Sequence, residues 1–277
     1  MTTKLSALFD RNKPDLVLVQ GDTTTVLAAA LTAFYYRIPV GHVEAGLRSY
    51  DLANPFPEEM NRRITSDLAA LHFAPTPQAK LNLLKENIQP RNIFVTGNTV
   101  IDALHLALKQ TGNFSHPQLK FLFPTAPRES HRWILVTAHR RENWGQPLKN
   151  ICTALKKIIK KYLDVRIIYP VHPNPQVKNI VVKILGGEER VYLIPPVDYF
   201  DLVNLMARAE LVITDSGGIQ EEAPALGKPV LVLREVTERP EGVTAGTAKL
   251  VGTNPARIFN ETAKLLNSPA AYRKMAA

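Results

Sequence analysis

Residues 211–233, LVITDSGGIQEEAPALGKPVLVL, indicate the fold of this chain more directly than any other stretch. The apolar residues 211–213 and Thr214 predict a buried strand, and the small and acidic residues that follow them predict the start of a helix. Residues 230–233 predict the next strand. A strand, a helix and a second strand in this order are typical of a parallel sheet covered by helices.

The same alternation continues on both sides of this unit. Short apolar runs predict further strands at residues 16–19, 38–43, 71–74, 93–96, 133–137, 165–170, 191–194 and 249–251. Amphipathic segments predict helices between them, the clearest at residues 25–36, 57–68, 77–86, 99–109, 146–162 and 255–266. The chain is therefore predicted to belong to the α/β class, with parallel sheets and helices on both faces.

One segment interrupts the alternation. Residues 110–132 contain Gly112, Pro117, Pro124 and Pro127 with little periodicity, and they predict a linker. Two Rossmann-like, doubly wound domains are expected on either side of it, residues 1–109 and 133–277, with a cleft between them. The first block offers only four strands where doubly wound domains usually have five or six, so the first domain is predicted to be incomplete.

The composition narrows the range of functions. Across 277 residues, 34 Lys and Arg against 25 Asp and Glu give a net charge of +9, which suits an anionic ligand or an unspecialised basic surface. The basic residues do not alternate with aromatic ones, so no nucleic-acid partner is expected. The one cysteine, Cys152, lies on an apolar helical face and is expected to be a buried, inert thiol. No leader or membrane-spanning run is present, so no membrane contact and a cytoplasmic location are expected.

Acidic residues occupy loops that follow predicted strands in the first half, where ligands of parallel sheets bind. They are Asp22 in QGDTTT (20–25), Glu44 in GHVEAG (41–46), and Glu58 with Glu59 in NPFPEE (54–59). Each also has a structural interpretation. Asp22 would cap the following helix, Glu44 would be a solvated loop carboxylate, and the pair at 58–59 would complement a helix dipole.

Two loops stand out in the second half. TAHRREN (137–143) places His139 after a strand, although a histidine in this position is often structural. TDSGGIQEE (214–222) joins a strand to a helix through small residues, which predicts an anion cradle or, alternatively, a plain tight turn. The glycine patterns of nicotinamide-binding and P-loop proteins are absent, and the seven histidines show no metal-binding spacing. Acids in one domain and an anion site in the other suit a sugar nucleotide.

These segments together resemble the non-hydrolysing UDP-N-acetylglucosamine 2-epimerases. The matching stretches follow the family's order between about residues 14 and 252. They are QGDTTT (20–25), GHVEAGLRS (41–49), PFPEEMNRR (55–63), VTGNTVIDAL (95–104), TAHRREN (137–143), YPVHPNP (169–175), TDSGGIQEEAPALGKPVLVLR (214–234) and TERPEGV (237–243). None of them is a general nucleotide-binding motif, so the combination is specific.

The resemblance implies a glycosyltransferase-B arrangement of two Rossmann-like domains and an isomerase activity. UDP-GlcNAc and UDP-ManNAc would be interconverted by elimination of UDP to 2-acetamidoglucal and re-addition, without a cofactor or a metal. This chemistry requires proton donors and acceptors near C2 and stabilisation of the departing pyrophosphate. A homodimer is also expected from the resemblance.

The resemblance also assigns roles to particular residues. The implied catalytic residues are Asp22, Glu44, Glu58 and His139. The implied nucleotide-binding residues are Ser216, Gly217, Gly218, Glu222 and Arg239, with Glu222 suited to the ribose hydroxyls. Arg140 and His172 match residues of an allosteric UDP-GlcNAc site.

The chain departs from the family pattern in one respect. Family members begin with a strand, a basic loop and a helix that this sequence lacks, and part of a C-terminal helix is also expected to be missing. The sequence therefore predicts an exposed sheet edge, low stability and low or no activity for the isolated chain. Three alternative functions remain open: a non-catalytic UDP-sugar-binding remnant, a hydrolysing epimerase that releases ManNAc and UDP, and a glycosyltransferase on the same fold.

Overall fold

The computed structural model describes residues 1–110, 114–124 and 131–276. The strands are β1 (Val17–Gln20), β2 (Val40–Val43), β3 (Leu71–Ala74), β4 (Ile93–Val95), β5 (Arg132–Thr137), β6 (Val165–Pro170), β7 (Val191–Ile194), β8 (Leu211–Thr214), β9 (Val230–Val232) and β10 (Ala248–Leu250). The helices are α1 (Thr2–Arg11), α2 (Thr24–Tyr35), α3 (Glu58–Leu68), α4 (Pro77–Lys85), α5 (Thr99–Gln110), α6 (Pro117–Leu122), α7 (Gln146–Lys161), α8 (Pro175–Leu185), α9 (Tyr199–Arg208), α10 (Ile219–Ala225), α11 (Pro240–Ala245), α12 (Pro255–Asn267) and α13 (Pro269–Met275).

The chain divides into two compact units, and the first comprises Met1–Thr99. Its four strands form a parallel sheet in the order β1-β2-β3-β4. Two small apolar clusters support this sheet, one around Ala30 and Val40 and the other around Ala74 and Leu83. Strand β1 is the last strand on one side of this sheet, and its residue Leu18 is 62% exposed.

The second unit, Val100–Ala277, contains a six-stranded parallel sheet in the order β10-β9-β8-β5-β6-β7. The strand order reverses between β5 and β8, which is the point at which doubly wound sheets bind their ligands. Large apolar clusters cover both faces of this sheet. Cys152 lies in one of them, and burial raises the pKa of its thiol to about 12, in agreement with the buried, inert thiol predicted.

The segment predicted as an irregular linker, residues 110–132, contains helix α6. Leu119 of this helix is fully buried beside Phe114 and Trp133, so apolar packing orders a segment in which prolines suggested a loop. Gly112 and Pro127 of the predicted linker lie outside the described residues. Helix α5 was assigned to the first domain from the sequence, but its buried residues Leu104 and Ala107 pack in the same cluster of the second unit.

The predicted α/β class with two doubly wound parallel sheets is confirmed. The strand predictions are also confirmed, with ends that differ by two residues or fewer. Their accuracy follows from β-branched, apolar runs that are buried on both sides, as in β8, where all four residues are buried. In the described ranges, no helix has both the length and the apolar character needed to cross a bilayer.

Candidate functional site

Two of the predicted catalytic acids lie at the same edge of the first sheet. Strands β1 and β2 are parallel neighbours, and their last residues, Gln20 and Val43, are paired in register. Asp22 follows β1 by two residues and Glu44 follows β2 directly. Because the carboxyl ends of parallel strands meet at one edge, the fold brings these two carboxylates to the same side of the unit.

Asp22 does not cap the following helix, so that structural interpretation is wrong. The N-cap of α2 is Thr23, whose hydroxyl accepts a hydrogen bond from the amide of Val26. Asp22 instead forms a short ion pair with the guanidinium group of Arg62, and its backbone oxygen accepts a hydrogen bond from the side chain of Asn61 at 2.9 Å. Helix α3 therefore holds the loop that carries Asp22.

Arg62 links Asp22 to a second, buried carboxylate. Its Nη1 donates to Oε2 of Glu59 at 3.1 Å, and the Glu59 side chain is fully buried. Glu59 also accepts hydrogen bonds from the backbone amides of Ser49 and Tyr50, each at 3.0 Å. Glu59 is thus a structural anchor for the loop before α3, and it is fully satisfied by charge-assisted bonds.

The predicted catalytic residue Glu58 precedes this anchor by one position and is only partly exposed. Residues four apart on a helix share a face, so Glu58 lies on the same side of α3 as Arg62, the residue that binds Asp22. The structure therefore places Asp22 and Glu44 at one sheet edge and Glu58 on the helix that holds the loop of Asp22. Arg62, which was not among the predicted site residues, pairs with Asp22 and with the buried Glu59.

Glu44 is held in an uncommon backbone conformation. Its φ angle is +63°, in the left-handed region that residues other than glycine and asparagine rarely adopt. Its Oε1 accepts a hydrogen bond from Nε2 of Gln20 at 3.0 Å. Such conformations persist where surrounding structure imposes them, and they are concentrated at functional sites.

Beneath this edge, a buried histidine supports the loop of Asp22. His42 is fully buried in β2, and its Nε2 lies 2.8 Å from the backbone oxygen of Gly21. A carbonyl oxygen can only accept, so Nε2 carries the proton. Burial lowers the pKa of His42 from 6.5 to about 4, despite the opposing effect of this hydrogen bond. The neutral imidazole is thus part of the folded structure.

A pH dependence of stability follows. As the pH falls from 6.5 towards 4, the unfolded chain takes up a proton at His42 that the folded chain does not bind. The free energy of unfolding should therefore decrease over this window, by about 3 kcal/mol in total for this group. His42→Gln keeps a donor for Gly21 and should reduce the slope, as measured by urea unfolding at several pH values. His105→Gln, at an exposed position, should leave the pH dependence of the free energy of unfolding unchanged. Equal slopes in the wild type and both variants would show that His42 is not the source of this dependence.

In the second unit, His139 and the TDSGG turn lie side by side. Strands β5 and β8 are neighbours, with Thr137 opposite Thr214 and their hydroxyls 2.6 Å apart. His139 follows the first of these threonines by two residues, and Asp215 follows the second directly. The buried Asp215 accepts hydrogen bonds from the amides of His139 and Arg140, both at 2.9 Å. The loop after β5 is thus bound to the loop after β8.

The two predicted allosteric residues flank His139. The ring of His172, in the loop after β6, stacks on the ring of His139 with centroids 5.8 Å apart and planes inclined by 13°. Nδ1 of His172 accepts a hydrogen bond from the amide of Asn174 at 3.1 Å. Arg140 is adjacent in sequence and partly exposed. The structure therefore places the predicted catalytic histidine against these residues, although their regulatory role stays a prediction.

The predicted phosphate-binding residues also converge. A Cβ atom at Gly217 would lie 2.6 Å from Nη1 of Arg239, so the guanidinium group packs directly against the glycine and would have to shift to accommodate a larger residue. Arg239 forms ion pairs with Glu221 and Glu238, which hold its charge at the turn. The amide of Ser216 already donates to Oγ1 of Thr214 at 2.9 Å, so it is engaged within the turn. The result is a fixed cation beside a glycine turn.

Glu222 lies at the same turn. Its Oε2 is 3.4 Å from the position that a Cβ atom of Gly218 would occupy, and its Oε1 accepts a hydrogen bond from the Tyr199 hydroxyl at 2.7 Å. Burial raises the pKa of Glu222, although the hydrogen bond from Tyr199 opposes this effect. Burial and this hydrogen bond also raise the pKa of Tyr199. Tyr199, which the sequence reasoning did not identify, fixes the orientation of this carboxylate.

The side chains that could ligate a divalent metal do not form a cluster in the described part of the chain. No group of three or more His, Cys, Asp or Glu side chains within residues 1–110, 114–124 and 131–276 has an arrangement that could hold a metal ion.

Comparison with known proteins decides the family. The model of the UDP-N-acetylglucosamine 2-epimerase family matches residues 1–277. The chain belongs to this family. The UDP-N-acetylglucosamine 2-epimerase of Bacillus subtilis is 52% identical over 272 residues, which cover 98% of this chain and 70% of that protein. The Escherichia coli K12 epimerase is 53% identical over 265 residues, covering 95% of this chain and 70% of that protein.

Solved structures of epimerases agree in fold. The UDP-GlcNAc 2-epimerase of Neisseria meningitidis, bound to UDP-GlcNAc, has a TM-score of 0.94 and 48% identity, with 99% of this chain and 74% of that one covered. The S. aureus MnaA protein, in a co-structure with UDP, has a TM-score of 0.92 and 46% identity, with 99% and 73% covered. This family has the glycosyltransferase-B type of fold, which confirms the fold expected from the resemblance.

Proposed function

We propose that this chain is a non-hydrolysing UDP-N-acetylglucosamine 2-epimerase that interconverts UDP-GlcNAc and UDP-ManNAc. Its membership of the epimerase family supports this proposal, as does the presence of every predicted site residue in a loop at the carboxyl edge of its sheet or at an adjoining helix. The bound ligands named for relatives, UDP-GlcNAc and UDP, are the substrate and the leaving group of this reaction.

In this proposal the second unit binds UDP. Arg239 is a cation already oriented beside the glycine turn, and it would neutralise the negative charge that develops on the diphosphate as the C1–O bond breaks. The small residues Ser216, Gly217 and Gly218 let the diphosphate approach the backbone. Glu222, with one oxygen bound by Tyr199, has its other oxygen available for the ribose hydroxyls.

The carboxylates of the first unit and His139 would carry out the proton transfers. One group removes the proton from C2 while the C1–O bond breaks, giving 2-acetamidoglucal and UDP. A proton is then delivered to the opposite face of C2 as UDP adds back to C1, so that atoms and electrons balance over the cycle. Asp22 and Glu44 are candidates for these groups because both lie at one sheet edge in restrained conformations, and Glu58 lies on the neighbouring helix face.

The ribose interaction gives a testable prediction for Tyr199. Tyr199→Phe removes the donor to a buried carboxylate, and a bond to a charged group contributes about 1.5 kcal/mol or more. The dissociation constant for UDP should rise roughly tenfold in isothermal titration. Tyr35→Phe, at a side chain that is 73% exposed, is the control and should bind UDP as the wild type does. A change of less than twofold for Tyr199→Phe would show that this hydroxyl does not support nucleotide binding.

The function itself is tested by following UDP-GlcNAc in deuterated water by NMR. The proposal expects deuterium to replace the hydrogen at C2 while the nucleotide sugar stays intact and UDP-ManNAc accumulates. Release of free ManNAc and UDP would instead identify a hydrolysing enzyme. Binding of UDP without exchange at C2 would identify a non-catalytic nucleotide-sugar-binding protein.

We also propose that the protein is a homodimer, which sedimentation would test, and that it is located in the cytoplasm, which cell fractionation would test.

A further inference from the structure

Asp215 has a carboxylate oxygen that its structural role does not use. Oδ2 accepts three hydrogen bonds, from the amides of His139 and Arg140 and from Nδ2 of Asn143 at 3.0 Å. These three donors fix the plane of the carboxylate and bind the loop after β5 to the loop after β8. Oδ1 is buried and has no hydrogen-bond partner among the described residues. A buried acceptor without a donor destabilises the folded state, so an acceptor left in this state usually has a role beyond the packing of the fold.

The imidazole of His139 is positioned to be that partner. Its Nδ1 lies 3.6 Å from Oδ1 of Asp215, slightly beyond hydrogen-bond length, while the Asp215 side chain is fully buried and the His139 side chain is 45% exposed. Two contacts hold the residue in this position: the backbone oxygen of His139 accepts from Nε1 of Trp144, and its ring stacks on His172. Hydrogen bonds of this kind are often long before substrate binds and shorten in the complex.

We propose that Asp215 is a positioning residue for His139, in which Oδ1 receives the Nδ1–H of the imidazole and so leaves Nε2 as the ring atom that exchanges protons with substrate. The role of His139 in proton exchange rests on the proposed function, whereas the pairing of Asp215 with His139 does not depend on it. A carboxylate that accepts from one ring nitrogen fixes both the tautomer and the ring orientation. The carboxylate also stabilises the imidazolium that forms when Nε2 takes up a proton.

The tautomer can be measured directly in the intact chain. Two-bond ¹⁵N–¹H correlation spectra report which ring nitrogen of a neutral histidine carries the proton, and His139→Gln identifies the signal among the seven histidines. At about pH 9, above the ordinary range for imidazole, the wild type should carry its proton on Nδ1. In Asp215→Asn the amide oxygen can keep the three N–H bonds while its NH₂ group faces the ring. The proton of His139 should then move to Nε2.

Asn143→Ala is the matched control. It removes one of the three donors to Oδ2 and leaves Oδ1 untouched, so the tautomer of His139 should stay as in the wild type. A purely structural role of Asp215 predicts similar behaviour in the two variants. A proton on Nε2 in the wild type, or the same tautomer in Asp215→Asn as in the wild type, would overturn the proposal.

Activity supplies the second readout. In Asp215→Asn the kcat for epimerisation should fall by at least about 100-fold, because the wrong tautomer presents a donor where an acceptor is needed. The KM for UDP-GlcNAc should change by less than about threefold, since substrate affinity is not set by the ring proton. Should the wild type lack epimerase activity, the proposed function fails while the tautomer measurement still decides the pairing. An active wild type with an unchanged tautomer in Asp215→Asn would refute the pairing alone.

Discussion

Asp22→Asn is expected to reduce exchange of the C2 hydrogen of UDP-GlcNAc with solvent by at least about 100-fold, the range typical for loss of a positioned acid or base. The substitution keeps an oxygen that can accept from Arg62, so the loop should stay in place. It removes the capacity to gain and lose a proton. NMR in deuterated water measures the exchange rate directly.

Binding of UDP separates this effect from general damage. The proposed nucleotide-binding residues all belong to the second unit, so the affinity of Asp22→Asn for UDP should match that of the wild type in isothermal titration. Asp67→Asn makes the same chemical change at an exposed position of α3 and should exchange C2 hydrogen at the wild-type rate. Exchange by Asp22→Asn at more than a third of the wild-type rate would remove Asp22 from the list of proton-transfer groups.

Arg62→Met should have the largest effect on stability. The side chains of Arg62 and Glu59 are 3% and 0% exposed, so the substitution leaves a buried carboxylate without its cation. Removing one partner of a buried ion pair typically costs about 3–5 kcal/mol, because the remaining charge is neither paired nor hydrated. Urea unfolding followed by circular dichroism should show a loss in this range. Proton-transfer activity should also be lost, since Asp22 loses its ion-pair partner.

Two further variants test whether the unpaired charge of Glu59 causes this loss of stability. Arg63→Met removes an exposed arginine one position along the same helix and should change stability by only a few tenths of a kcal/mol, or about 0.5 kcal/mol at most. Adding Glu59→Gln to Arg62→Met replaces the uncompensated charge with a neutral amide that can still accept from Ser49 and Tyr50. The double variant should therefore be more stable than Arg62→Met alone. If it is less stable, the buried charge is not the source of the loss.

The local pattern of the sequence was sufficient to predict the strands and helices and to locate the loops that hold the candidate site residues. Strand β8 and the DSGG turn after it could be identified because three successive apolar residues and a threonine give way to small and acidic residues within a few positions. A similar local pattern predicts that Asp22 and Glu44 follow strands, as they do. Such signals depend on neighbours within one or two turns of chain, so the sequence contains them in full.

For helices α5 and α6, the local pattern did not predict which core they join. Helix α5 follows the fourth strand and was predicted to close the first domain, and the prolines at and after α6 suggested a linker, but Leu104 and Leu119 are fully buried in the core of the second unit. Which core an amphipathic helix joins depends on the surface that it meets, and no local period encodes that surface.

The sequence by itself determined the α/β class, the order of strands and helices, the epimerase family, and the loops that hold the candidate site residues. Only the tertiary structure decided how those groups are paired: Asp22 with Arg62 forty positions away, Glu222 with Tyr199, and the backbone amide of His139 with Asp215 directly after the neighbouring strand. The physical reason is that backbone periodicity is set by adjacent residues, whereas an ion pair or a hydrogen bond is set by distances of a few ångströms between side chains that distant parts of the chain bring together.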